Sequence, residues 1–381
     1  MRLMGKVPDE EQAQQMGLGG KEALAGYIER VCGSPVEVLA VRSLGDTRAA
    51  ADPKDLGYGV PLEIECVVGG QFRSFVVSRT RPVPGFGHDY PADRAWQAIY
   101  AHGAYNTFPR HVRSLDVGFV RRSGELVSAG DAAEYFQLVE KAPGALYWLD
   151  LDRMLAGPAQ DLDYARARAL GRFLAEAHAQ KRHEPTLYQR RIRELVGHGE
   201  CLMGILDSYP HPCALLPPAD CEALERAAVA WRWRLRGRER RLSRVHGDFH
   251  PWNLLFETGA EFTVLDRSRG EWGEPADDVS ALGINYLFFG LRKSGAARVA
   301  EPFYSLFIAF LYAYLAGSGD WELLEVLPPF FMFRALVIAH PRWYPGLTEG
   351  TRRALLDFAR AMTAARAFDP CGLPSSLGVA A

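Results

Sequence analysis

The spacing of apolar and polar positions changes character once along the chain, near residue 141. Lys21–Cys32 places Leu24, Tyr27, Ile28 and Val31 on one helical face and stops at Gly33. The period then shortens to that of strands, over 36–41, 61–68 and 72–79. Gly69-Gly70 joins the last two as a tight hairpin. A helix over 92–104 and further strands over 114–120 and 135–140 complete a strand-rich first part, preceded by a polar lead-in over 1–20. After Lys141-Ala142-Pro143-Gly144 the helical period takes over. Leu170, Phe173, Leu174 and His178 share one face of a helix over 164–180. Helices also fit 221–236, 277–289, 302–315, 329–340 and 351–368.

The pattern predicts an α+β chain: a small antiparallel β-sheet unit, a short Pro-Gly hinge and a large, mainly helical unit. The expected boundaries are 1–141 for the first, 142–370 for the second and 371–381 for a disordered tail. Length supports the division, because 381 residues exceed one compact core.

Composition excludes more than it selects. Apolar content of 48% and charged content of 24% are ordinary for a globular chain. A formal net charge of −2 supplies no bulk attraction to nucleic acid or to an anionic membrane. The six cysteines form no Cys-x-x-Cys pair and no zinc spacing, so they read as reduced, mostly buried thiols. The first residues lack the apolar stretch of a signal peptide, and no run approaches the ~20 apolar residues of a membrane helix. A cytoplasmic location is expected.

One segment carries chemistry. His246-Gly247-Asp248-Phe249-His250-Pro251-Trp252-Asn253 lies between a helix and the alternating strand 262–265, which ends in Asp266. Phosphoryl transfer needs a carboxylate near the attacking hydroxyl and oxygen ligands for magnesium. Asp248 supplies the first, and Asn253 and Asp266 supply the second. A tight loop followed by a hairpin brings the three together, and Pro251 stiffens the loop. Asn at that offset, a strand and a terminal aspartate separate this pattern from an ordinary His-x-Asp loop.

HGDFHPWNLLF followed by TVLDRSRGEWGEPADDVSAL resembles the aminoglycoside phosphotransferase and choline kinase superfamily. The resemblance implies a two-lobed protein-kinase-like fold, ATP and Mg2+ as cofactors, and a small-molecule hydroxyl as phosphate acceptor, an amino-sugar or amino-alcohol among the choices. It implies Asp248 as catalytic base or hydroxyl-orienting group, Asn253 and Asp266 as magnesium ligands, and His246 as organiser of the loop. Asp278 matches the aspartate that opens the next helix and braces the loop, a position where aspartate also serves as a cap. Gln137-Leu138-Val139-Glu140 with Pro143-Gly144 resembles the hinge whose backbone meets adenine, which makes Glu140 and Ala142 nucleotide contacts.

The pattern departs from the family at the phosphate grip. Its third strand reads Phe75-Val76-Val77-Ser78-Arg79-Thr80-Arg81, without the usual lysine. Arg79 or Arg81 is expected in its place, with Asp93 or Gln97 as partner. The alternative that this departure raises is a weakly active or non-catalytic nucleotide-binding regulatory protein. No segment ending in Ala-Pro-Glu marks a protein kinase. Gly45–Gly59 is the candidate phosphate-covering loop, whereas Gly17-Leu18-Gly19-Gly20-Lys21-Glu22 fails the Walker pattern and reads as a helix lead-in. A cationic acceptor calls for acidic or aromatic neighbours, with Glu271, Trp272, Glu274, Trp321, Glu322, Glu325, Trp343 and Tyr344 as candidates. The arginine run from Arg232 to Arg244 reads as a solvated helix and linker, with contact to an anionic partner as the alternative.

Overall fold

Leu24 and Ile28, one helical turn apart, are the buried residues of helix α1 (Lys21–Cys32), which stops at Gly33 with φ 67°. They pack on one face of an antiparallel sheet in the order β1 (Val36–Ser43), β2 (Gly59–Val68), β3 (Gln71–Thr80). In the central strand β2, Leu62, Ile64, Cys66 and Val68 point inward at every second position, as the period of a strand requires. The hairpin at Gly69-Gly70 sets Leu62 opposite Val77 and Ile64 opposite Phe75. Helix α2 (Pro91–Thr107) follows, and a small hairpin of β4 (Gly118–Val120) and β5 (Leu126–Ser128) adds Leu126 to the same core.

The computed structural model describes residues 18–44, 58–295 and 298–373, and the chain divides into two compact units between Val139 and Glu140. Two expected strands differ in the first unit. The strand expected over 114–120 is regular only from Gly118, because Asn106 takes over the ladder at Ser114: its amide accepts from Ser114 N–H (3.0 Å) and donates to Ser114 O (2.9 Å). The strand expected over 135–140 is absent. Its residues pair with no strand among the described residues, and Phe136 and Leu138 are 94% and 92% exposed.

The second unit opens with β6 (Ala145–Leu146) and helices α3 (Trp148–Ala156), α4 (Asp161–His178), α5 (Pro185–Gly197), α6 (Leu202–Ser208) and α7 (Pro218–Leu235). Short strands β7 (Ser243–Arg244), β8 (Leu254–Phe256), β9 (Phe262–Val264) and β10 (Trp272–Gly273) frame the candidate loop. β8 lies between β6 and β9, and β10 pairs β7. Four helices complete the unit: α8 (Pro275–Ser294), α9 (Phe303–Ser318), α10 (Leu323–Ala339) and α11 (Glu349–Ala364).

Helix α8 is the axis of this unit. Every residue from Pro275 to Leu291 except Asp277 is buried, the pattern of a helix enclosed on all sides. Helix α4 meets α9 so closely at Gly171 that a Cβ there would lie 2.4 Å from Phe310 O. That approach brings His178 and Tyr314 together, at 3.1 Å from ring Nδ1 to hydroxyl. Helix α10 begins six residues before the expected start and carries Pro328 and Pro329 inside it. Burial of Leu323, Val326 and Leu327 holds the preceding turn helical despite the two missing donors. Helices α3, α5 and α6 lie outside the periodic segments recognised in the sequence. No helix among the described residues is long and apolar enough to cross a membrane. All six cysteines are free thiols; Cys66 is buried, Cys371 exposed, and the other four partly buried.

Candidate active site

The loop from His246 to Asn253 is irregular, so its backbone groups need partners other than a ladder. Asp278, in the first turn of α8, provides two of them. Its Oδ2 accepts His246 N–H at 2.7 Å and its Oδ1 accepts Gly247 N–H at 2.7 Å. The buried ring of His178 completes the cluster, with Nε2 3.0 Å from Asp278 Oδ2. Burial pushes the Asp278 pKa up, but the His178 contact and the His246 donor outweigh it and hold the carboxyl below its ordinary range. Asp278 thus braces the loop, the role that the family resemblance implies for it.

His246 organises the next residues. Its Nε2 lies 2.8 Å from Leu265 O, and its Nδ1 accepts Asp248 N–H at 3.2 Å. That pair of contacts assigns the proton to Nε2, the tautomer in which one ring nitrogen donates and the other accepts. Gly247, at φ 90°, leaves room for the neighbouring segment: a Cβ there would sit 3.0 Å from the Arg269 Cβ.

Asp248 is turned toward three cationic or titratable groups. Arg334 Nη1 is 2.7 Å from Oδ1, and His250 Nε2 and Arg269 Nη2 are 3.5 and 3.7 Å from Oδ2. Burial raises the Asp248 pKa, but His250, Arg334 and Arg269 together carry it far below the usual carboxylate range. Its charge persists throughout the neutral range.

Arg334 is the residue that the sequence reading missed. It is buried on α10, and its fork also reaches Gly247 O (3.0 Å) and Asp277 Oδ1 (2.7 Å). A signal was available: it is the lone charge in Phe330-Phe331-Met332-Phe333-Arg334-Ala335-Leu336-Val337-Ile338-Ala339. A single arginine inside so apolar a helix must be paired. Arg269 was missed for the opposite reason, because an exposed-looking arginine in a polar loop gives no periodic signal.

The metal candidates have suitable chemistry. Asn253 donates its Nδ2 to Asp248 O at 3.1 Å, which leaves Oδ1 as a free hard acceptor. Leu265 N–H donates to Asn253 O at 2.9 Å, so the residue preceding Asp266 is tied to Asn253. Asp266 is exposed and sits at φ 52°, a left-handed conformation that aspartate tolerates better than most residues. Among the described residues no three His, Cys, Asp or Glu side chains form a cage. Magnesium does not require one, since it is often held by one or two protein oxygens together with substrate phosphates and water. The donor set fits that ion.

The nucleotide candidates fall in separate places. Arg79 is exposed on β3 opposite Val60, and Arg81, just past the strand, is exposed and gives its N–H to Tyr58 O at 2.8 Å. Asp93, expected as an arginine partner, accepts Tyr90 N–H at 2.9 Å at the start of α2. Gln97 lies one turn further along α2. Glu140 and Ala142 lie in irregular, exposed or half-exposed backbone at the start of the second unit, just before β6. The glycine-bearing connection at 45–57 and the segment up to Gly17 lie outside the described residues.

The acidic acceptor candidates are mostly committed elsewhere. Glu274 is buried between Arg241 (2.8 Å) and Tyr188 (2.8 Å) and caps α8, and Glu322 and Glu325 bind Arg238, with Arg240 also on Glu322. The arginine run is therefore not merely a solvated face: Arg241 is buried, bound to Glu274 and Asp320.

A family model for the phosphotransferase enzyme family, APH, matches residues 88–324, well over half of the chain. Among solved structures, a glucosamine kinase in complex with glucosamine, ADP and inorganic phosphate aligns at 18% identity and TM-score 0.33 over 58% of this chain and 59% of that one. A Plasmodium vivax ethanolamine kinase aligns at 12% identity and TM-score 0.35 over 95% of each chain. A macrolide 2'-phosphotransferase type I aligns at 16% identity and TM-score 0.30 over 95% of this chain and 99% of that one. No curated protein sequence matches the chain.

Proposed function

The chain belongs to the phosphotransferase enzyme family, and on that premise we propose that it transfers the terminal phosphoryl group of ATP to a hydroxyl of a small molecule. The observation that carries the reading is Asp248, held anionic on a loop whose backbone is tied to Asp278, His246 and Arg334. A carboxylate kept this acidic is a poor proton acceptor and a good anchor. Asp248 therefore accepts a hydrogen bond from the acceptor hydroxyl and aims its oxygen at the phosphorus. The hydroxyl proton leaves late, to an oxygen of the transferred phosphoryl group, and ADP departs as the bond to phosphorus forms, as the loose transition state of phosphoryl transfer permits.

Asn253 Oδ1 and the Asp266 carboxylate are the groups that would hold magnesium, which when bound neutralises charge on the nucleotide phosphates. Glu140 and Ala142 would offer backbone groups to adenine, and Arg79 or Arg81 would meet phosphate from the first unit. Amino-sugars and amino-alcohols are the acceptors that the family resemblance suggests. Free thiols and an ATP requirement suit a cytoplasmic setting.

A nucleotide-binding regulatory protein without transfer activity is the second reading, favoured by arginine on β3 where the family carries lysine. One experiment separates them. ADP formation is followed over a panel of hydroxylated acceptors, with Asp248→Ala as the control. Turnover that falls by about a thousandfold or more in the variant is expected, the scale of losing a positioned catalytic group. Equal rates in the two proteins remove Asp248 from the mechanism, and nucleotide binding without turnover favours the regulatory reading.

A further inference from the structure

Building on the transfer reading above, we propose that the acceptor carries an oxyanion, a phosphate or a carboxylate, which Arg269 holds while the acceptor hydroxyl meets Asp248. Most of the charges around Asp248 are already used. Both terminal nitrogens of Arg334 are taken, divided among Asp248, Gly247 O and Asp277, while its buried Nε has no partner among the described residues and too little exposure to receive a ligand. Arg191, which lies 3.6 Å from the Gly270 Cβ position, gives Nη1 to Glu194 (2.6 Å) and Nη2 to Arg269 O (2.6 Å).

Arg269 differs from both. Its backbone is fixed by Arg191 and by the close approach of Gly247, yet its guanidinium makes no hydrogen bond among the described residues. Its 3.7 Å separation from Asp248 is ion-pair range but too long for a hydrogen bond, and the side chain is 29% exposed. An unbonded, partly open guanidinium on a fixed backbone, beside the catalytic carboxylate, is a fork awaiting a planar or tetrahedral oxyanion.

The same inventory disfavours a cationic acceptor. An ammonium within reach of Asp248 would stand beside Arg269 and Arg334 as well. The acidic residues that could offset them are committed: Asp277 to Arg334, Glu194 to Arg190 and Arg191, Glu274 to Arg241. Asp266 is assigned to the metal, and Glu271 is exposed two residues past Arg269. Trp252 stacks on Trp148 at 6.2 Å and 14° and meets Tyr344 edge-on. An aromatic wall of this kind suits the carbon face of a sugar or polyol that carries the oxyanion.

The test uses acceptors matched on one scaffold and differing only in charge: glucose, glucose 6-phosphate, gluconate and glucosamine, with a parallel polyol set. ADP formation gives kcat and KM for each, and calorimetric titration gives binding without turnover. An oxyanion member is expected to show a KM roughly ten- to hundredfold below its neutral counterpart, the range of one charge-assisted hydrogen bond. The phosphate and carboxylate arms decide which oxyanion is read. R269Q is expected to abolish that preference and R269K to keep part of it. A preference for the ammonium member overturns the inference, as does the lack of an anion preference in both measurements. So does R269Q if it lowers kcat equally for every acceptor, because Arg269 would then act on the transferring phosphoryl group. Anion preference in calorimetry without ADP formation would leave the binding inference standing and remove the transfer reading.

Discussion

Residues 246–278 and 129–139 are both largely irregular, and they are held in opposite ways. In the first stretch polar side chains replace the missing ladder: buried Asp278 takes two loop amides, buried His246 reaches Leu265 O, and the exposed Arg267 reaches Val245 O and Glu271 O. In the second, Phe136, Leu138 and Val139 are exposed at 94%, 92% and 69%, and the backbone belongs to no helix or strand. The difference teaches that the backbone groups of an irregular segment find partners when charged and polar side chains are placed to meet them, whatever its own propensity.

The largest break in that comparison is Asp278→Ala. The change leaves His246 N–H, Gly247 N–H and the His178 ring without their acceptor in a buried site. A loss of about 3–5 kcal/mol is expected, the usual scale for removing one partner of a buried charged cluster. Urea denaturation measures it, and a loss below about 1 kcal/mol would mean that the loop holds itself. The sign of the pH dependence is fixed as well. Asp278 and Asp248 both have folded-state pKa values below their unfolded ones. Their stabilisation is full above the unfolded carboxylate value of about 4 and is lost as pH falls toward the folded values. The wild-type denaturation midpoint should therefore fall on acidification below about pH 4, with a smaller slope in Asp278→Ala.

The same two stretches show how far the sequence could be read. The helical core was legible because α4, α7, α8, α9 and α11 repeat apolar residues at the helical period, and the boundaries moved by a few residues only. The loop residues were legible because their spacing is a chemical pattern; their three-dimensional partners were not. Arg334 lies 86 positions from Asp248, and no local period reports a pairing across such a distance. The strand expected over 135–140 failed for a related reason. An apolar-rich run looks like a strand by itself, but it needs a neighbouring strand with free backbone groups, and none among the described residues pairs with it. At Ser114 a side chain, Asn106, displaced the ladder in a way that period alone does not encode.

A smaller effect is expected from Arg334→Met, which keeps length and apolar contact but removes the charge shared by Asp248 and Asp277. The two carboxylates are 15% and 20% exposed, so water recovers part of what they lose, and a cost of about 1–3 kcal/mol is expected. The sharper readout is kinetic. Without Arg334 the Asp248 pKa rises toward the ordinary carboxylate range, so the acid limb of the kcat profile should move to higher pH. An unmoved acid limb, with only stability lost, would make Arg334 a packing residue and not a partner in the charge of Asp248.

The smallest effect belongs to the other stretch. Phe136→Ser with Leu138→Ser removes two large apolar side chains, a change that in a core costs about 3–5 kcal/mol for the phenylalanine alone. Both side chains are more than 90% exposed, so little contact area is lost on the folded side. The double variant should stay within about 0.5 kcal/mol of the wild type in urea denaturation, the usual range for surface positions. If it does, the stability contributed by 246–278 comes from its buried charges and is not shared by irregular segments in general. A loss above about 2 kcal/mol would place the two side chains in a packed environment and dissolve the contrast between the stretches.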